Sequence, residues 1–238
     1  MPRRPRVNLV GYPQHIVQRG HNRAATFFAD DDYHCYLHSL KDSATKYGCD
    51  IHAYALMTNH VHLLVSPNRA DGITRLMQSL GRRYAQYVNR FYKRSGSVWE
   101  GRFKASVIDA EEYLITCYRY IELNPVTAGM VSDPADYRWT SYRWHGLGER
   151  NELITDHPLY QALAQDDMNG APPTGLCFVH LWIKRRLATY VKCLTRGNRW
   201  ALSASANRSR SRWASGLRPR NVDASVLNRR HRSTARWR

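Results

Sequence analysis

The sequence predicts an α+β fold of the ferredoxin-like type, βαββαβ, an antiparallel sheet with helices on one face. Three observations predict it. Two amphipathic helical patterns each lie between strand-like runs. Two of those runs, CDIHAYALM and HVHLLV, follow each other across a brief polar break at Met57–Asn59, as hairpin strands do. The resulting order is that of the split βαβ arrangement.

Each element has its own grounds. HIVQRG (15–20) reads as a short strand after a Pro/Arg-rich start. Acidic residues, favourable at a helix N-terminus, open DDDYHCYLHSLKDSATKYG, which carries Tyr33, Tyr36, Leu37 and Leu40 at helical spacing until Gly48 stops it. The second helical pattern places Leu76, Leu80, Tyr84, Tyr87, Val88 and Phe91 along one side and ends at Gly96. FKASVID is a further strand. AEEYLITCYRYIELN is a third helix, closed at Asn124–Pro125 because proline disfavours helical geometry in the residue before it. A loop-rich stretch (DPADYRWTSYRWHGLGE) and a short helix, LYQALAQ, follow. VHLWIKRRLATYVKCL has the spacing of one more amphipathic helix within 166–195, and 196–238 shows no core-forming period and is expected to be disordered. A domain over 1–165, with its core at about 13–130, is the expected folded part.

Charge narrows the partner. The chain carries a formal net charge of +17 over 238 residues, which points to a polyanion, with nucleic acid first. Residues 196–238 hold 12 arginines and one acid, a net of +11. No apolar run approaches the ~20 residues of a membrane span, and the basic N-terminus lacks the apolar stretch of a signal peptide. Five cysteines without a CxxC indicate neither a zinc ribbon nor a disulfide framework, so a reducing cytoplasm is the expected location.

The chemistry starts from ALMTNHVHLLVSP. Side chains at i and i+2 of a strand share a face, so His60 and His62 project together. Two charged imidazoles would repel, whereas a metal ion accepting a lone pair from each makes the pairing favourable. HxH alone is a weak signal, since such pairs also occur as ordinary sheet residues. In the third helix Tyr120 and Asn124 lie four apart and therefore on one face, while Tyr118 faces elsewhere. A helix lying over the sheet face that bears the histidines would assemble two imidazoles, an amide oxygen and a phenol. That set suits phosphodiester cleavage, with a metal stabilising the developing charge and the phenol attacking phosphorus. Taken alone, Tyr120 would more often be a core aromatic and Asn124 a helix-end residue before proline.

YALMTNHVHLLV, followed about sixty residues later by YRYIELNPVTAGMV, resembles the single-tyrosine HUH transposases, and within them the REP-associated tyrosine transposases. HIVQRGHNR, GSVWEGRFKASVID and DYRWTSYR are similar to the same group, and the resemblance runs from about Pro13 to Gln165. It implies Mg²⁺- or Mn²⁺-dependent cleavage of single-stranded DNA, a covalent 5′-phosphotyrosine and a released 3′-hydroxyl, on palindromic DNA that folds into hairpins. By position, His60 and His62 fall on the HUH histidines, Tyr120 on the nucleophile and Asn124 on the helix-borne metal ligand. The expected protein is a cytoplasmic, nucleoid-associated transposase, monomeric or homodimeric.

Four arginines are candidate DNA contacts. Arg19 and Arg102 offer planar donor forks to phosphates, and Arg82 and Arg83 mix with tyrosines as in single-strand binders. Two rival functions remain at this stage. One is a non-catalytic nucleic-acid-binding module, which shares the βαββαβ order but would bring an aromatic K/R-G-F/Y-G/A-F sequence that is absent here. The other is a metal-dependent hydrolase using water, which needs no tyrosine.

Overall fold

In the computed structural model, which describes residues 9–108 and 111–162, four strands form one antiparallel sheet. They are β1 (Gln14–Arg19), β2 (Cys49–Met57), β3 (His60–Pro67) and β4 (Lys104–Val107), in the order β2-β3-β1-β4. Helix α1 (Asp30–Tyr47) joins β1 to β2, and α2 (Gly72–Phe91) joins β3 to β4. Strand β3 lies between β1 and β2, and β1 lies between β3 and β4, so each βαβ unit is split by a strand of the other. The ferredoxin-like expectation holds.

Alternation assigns the two faces. Ile16, Val61, Leu63 and Val65 point into a core closed by Leu40 of α1 and by Leu76, Leu80 and Tyr84 of α2. Ala53, Ala55 and Leu64 point the other way, against Leu114, Cys117, Tyr118 and Ile121 of α3 (Glu111–Glu122). The first two helices therefore share one face, and the third covers the opposite one. A register shift between Ile51 and Ala53 lets both Ile51 and Tyr54 face the larger core. Gly48, at φ 62°, ends α1 in the left-handed conformation that glycine adopts without a Cβ penalty. Of the three acids opening α1, buried Asp32 is the one its N-terminus uses, accepting from the backbone N–H groups of Phe28 and Ala29 at 2.7 and 3.0 Å.

The third helix differs from expectation at its end. It closes at Glu122, just before Asn124–Pro125, but helical geometry returns at once. After a single break at Leu123 the chain resumes as α4 (Asn124–Thr127), with Pro125 in the first turn, where its missing N–H has no helical partner to lose. The loop-rich stretch also contains a helix, α5 (Tyr142–Leu147), six residues long and too short to show a period. Residues 158–162 are helical, as the LYQALAQ pattern predicts.

The segment after α4 lines the outer edge of β2. Leu56 N–H donates to Trp139 O, Ser141 N–H to Tyr54 O and Thr155 N–H to Ile51 O, at 2.9, 3.0 and 2.8 Å. Backbone groups on an edge strand are thereby satisfied. Trp139 stacks on Tyr33 at 4.4 Å, and Trp144 Nε1–H donates to Asp156, so both tryptophans are packing residues here. No helix among the described residues is long and apolar enough to cross a membrane. The helix expected in 166–195 and the arginine-rich 196–238 lie outside the described residues.

Candidate active site

Strand register places the histidines. In the β1–β3 ladder His60 stands opposite Arg19 and His62 opposite Val17. The two imidazoles project from one face with ring centroids 4.9 Å apart. His15, two residues before Val17, projects from the same face, diagonal to His62, and its Nε2 lies 2.9 Å from His62 Nδ1. Those rings are inclined by only 14°, so they meet edge to edge in nearly one plane, joined by the hydrogen bond. Sequence reasoning missed His15. Its signal is the alternation of His15, Val17 and Arg19 with inward-facing Gln14, Ile16 and Gln18, which becomes informative only once the β1–β3 register is known.

All three imidazoles are held uncharged. Burial, followed by the neighbouring His15, His60 and Arg19, lowers the His62 pKa to about 3. Burial lowers His15 to about 4, and burial with the Arg19 guanidinium moves His60 down as well. Neutral imidazole is the form that can give a lone pair to a metal. Asn59 selects the tautomer of His60. Its Nδ2 donates to Arg23 O at 3.1 Å, which turns Oδ1 toward His60, and His60 Nδ1–H donates to that oxygen at 2.6 Å. The His60 lone pair therefore sits on Nε2.

Helix α3 brings the phenol. Tyr120 is 55% exposed, yet its ring stands edge-on to His62 at 5.5 Å and to His15 at 5.7 Å. Tyr118 is turned away and buried against His145. Asn124, one turn beyond Tyr120, is half-buried, and its Nδ2 reaches the Tyr120 carbonyl at 3.4 Å. Among the described residues no group of three or more His, Cys, Asp and Glu side chains can hold a metal ion.

The four candidate arginines separate. Arg19 is exposed and opposite His60. Arg102 is exposed in the segment before β4. Arg82 and Arg83 sit on α2, which packs on the other sheet face, and Arg83 bonds Asp42 of α1 at 3.0 Å in an exposed ion pair.

Comparison with known families decides the class. Residues 9–124 match the family described as transposase IS200 like. That stretch belongs to the IS200-like transposases. The chain is a DNA transposase, an endonuclease by chemistry. A solved structure of a REP-associated tyrosine transposase bound to a REP hairpin is 17% identical. It aligns with 67% of this chain and 96% of its own at a TM-score of 0.54, and so shares the fold. A putative transposase from Deinococcus radiodurans R1 is 20% identical over 51% of this chain and 96% of its own, with a TM-score of 0.36. Comparison with curated proteins gives no match. The IS200-like match ends at Asn124, so it takes in the histidines, Tyr120 and Asn124 and stops short of α5.

Proposed function

We propose that this IS200-like transposase is a metal-dependent single-strand DNA endonuclease and strand transferase of the REP-associated kind, acting on palindromic DNA folded into a hairpin. The observation that carries the reading is a half-exposed phenol, Tyr120, edge-on to buried His62 and half-buried His15, both held neutral. The hairpin is suggested by a similarly folded transposase whose solved structure holds one.

His60, His62 and Asn124 would hold one Mg²⁺ or Mn²⁺. The donor set fits such an ion, with a fixed lone pair on His60 Nε2, a second neutral imidazole and an amide oxygen. Mn²⁺ accepts imidazole more readily than oxygen-preferring Mg²⁺ does, so it should bind at least as well. When bound, the cation polarises a phosphate oxygen and favours the charge that develops at phosphorus. Tyr120 Oη attacks phosphorus and gives up its proton. The bond to the 3′ oxygen breaks, that oxygen takes up a proton, and the 5′ phosphate remains on the tyrosine, dividing one displacement into two. Arg19 and Arg102, both exposed, would grip flanking phosphates.

The test incubates labelled single-stranded hairpin DNA with protein and Mn²⁺ and looks for a covalent adduct under denaturing conditions. Wild type should form it, and Tyr120→Phe, which keeps the ring, should fold and form none. An adduct that persists in Tyr120→Phe would reject this tyrosine. Metal-dependent cutting without an adduct would favour a water-using hydrolase, and binding without cutting a non-catalytic module. Mn²⁺ titration of His60→Ala/His62→Ala should show weaker binding than wild type, and equal affinity would reject the ligand assignment.

A further inference from the structure

The strand-borne histidines are fixed by the sheet ladder, but the phenol is carried by a helix that no ladder holds. Helix α3 packs Leu114, Cys117, Tyr118 and Ile121 on the sheet, which offers Ala53, Ala55 and Leu64 in return. Apolar packing is non-directional, so a directional contact is what would set the helix's position along the sheet.

A buried polar cluster sits where that device is needed. Glu122, the last residue of α3, is 3% exposed, and its Oε1 accepts from both Ser141 Oγ–H and His145 Nδ1–H at 2.5 Å. Ser141 is tied to the sheet. Its N–H donates to Tyr54 O at 3.0 Å, and its Oγ accepts from Tyr54 N–H at 3.1 Å. His145 Nε2 lies 3.4 Å from Asp156 Oδ1, an ionic contact, and Asp156 also accepts from Trp144 Nε1–H. The Tyr118 ring meets the His145 ring edge-on at 5.1 Å. Burial opposes protonation of His145, but the carboxylates of Glu122 and Asp156 outweigh it and raise its pKa to about 9, so the imidazole is a cation at neutral pH.

The grip has a helical logic. Tyr118 and Glu122 are four apart and share one side of α3, whereas Tyr120, midway between them, is turned by about 200° from each. We propose that Glu122, Ser141 and His145 are positioning residues, which lock α3 to β2 and α5 and so fix where Tyr120 and Asn124 stand relative to His60 and His62. Two of the three, Ser141 and His145, lie beyond the stretch matched to the IS200-like family. The inference rests on Tyr120 as nucleophile for its effect on cleavage, but the placement of Tyr120 can be read separately.

The experiment uses the full chain with fluorotyrosine at position 120, read by ¹⁹F NMR without DNA, beside single-turnover adduct formation and hairpin affinity. Ser141→Ala removes the Oγ–H bond to Glu122 and the Tyr54 N–H bond to Oγ, and leaves the charge pair in place. Glu122→Gln/His145→Gln removes that buried pair together and leaves Asp156, part-exposed and still accepting from Trp144 Nε1–H, as the remaining charge. Asp32→Asn alters a buried carboxylate on the other sheet face and serves as the stability control. Ser141→Ala should shift or broaden the ¹⁹F line and slow adduct formation by on the order of 10- to 100-fold, the scale of a misplaced reacting group, with hairpin affinity within about 2-fold. Asp32→Asn should lower Tm and leave line and rate alone. Folded Ser141→Ala and double variants with an unchanged line and rate would overturn the proposal, as would a rate loss that follows Tm alone across all variants. A shifted line without a change in rate would leave α3 clamped but reject the role in cleavage. If Tyr120→Phe still forms the adduct, the nucleophile assignment fails, and the ¹⁹F line alone then decides whether the clamp positions Tyr120.

Discussion

Three buried imidazoles and the half-buried His15 are driven in two directions, and the difference sets how stability depends on pH. His15 and His52 sit near 4 and His62 near 3, all through burial first. An unfolded histidine titrates near 6.5, so below that pH the unfolded chain binds about three protons that the native state refuses. Stability must fall as pH drops from about 6.5 toward 4. His145 runs the opposite way, because its folded pKa is raised to about 9. Its contribution is full below about 6.5 and disappears as pH rises through 9. Urea midpoints from pH 4 to 9, measured with chelator present, should peak near pH 6.5, and Glu122→Gln/His145→Gln, which leaves neither member of the buried pair alone, should remove the alkaline fall while keeping the acid one. A midpoint that does not change between pH 7 and 5 would contradict the buried neutral histidines. His15 carries a second expectation. Groups that fix the tautomer of a metal ligand typically contribute about 10- to 100-fold in affinity or activity. His15→Ala should weaken Mn²⁺ binding on that scale in a calorimetric titration, whereas Arg83→Ala, which removes an exposed ion pair, should not change it.

At the scale of elements, what the sequence revealed and what it concealed follow from range. The β2–β3 hairpin, α1 and α2 were legible because their patterns repeat every 2 or 3.6 residues over many residues. The shared face of His60 and His62, and that of Tyr120 and Asn124, follow from the same local periods. His15 was not legible, since its contact with His62 spans 47 residues and depends on strand register. The same holds for Glu122, Ser141 and His145, which meet across a loop-rich stretch with no period of its own. Asn59 read as a turn residue because its role lies in the direction of one amide. Pro125 misled for a different reason: a residue that ends one helix is also well suited to begin the next. Gly20, which ends β1 beside Arg19, gives an element-scale test. A Cβ there would lie 2.3 Å from Ala24 O and 2.7 Å from Thr26 Cγ2. Because backbone cannot yield as a flexible side chain does, Gly20→Ala should cost about 1–3 kcal/mol in chemical denaturation. It should also weaken hairpin binding by displacing Arg19, and an unchanged midpoint would show that the turn can open freely.

At the scale of the whole molecule, charge and fold are separated along the chain. The stretch 196–238 holds +11 of the +17, and the rest is only mildly basic. Arginines that neutralise phosphates release counterions, each neutralised phosphate adding a log–log salt slope of roughly −0.7 on single strands. Such contacts carry no sequence information, because phosphates are the same at every position. Removing 196–238 should therefore weaken binding to all DNAs alike and flatten the salt dependence. Preference for a matched over a scrambled hairpin should survive, since it would reside in the sheet and in α3. Affinities across a salt series for full-length and 1–195 proteins, on both DNAs, separate the possibilities. An unchanged slope would mean that the arginine-rich stretch does not touch DNA. Lost hairpin preference would instead place recognition in that stretch and leave the folded part with cleavage alone.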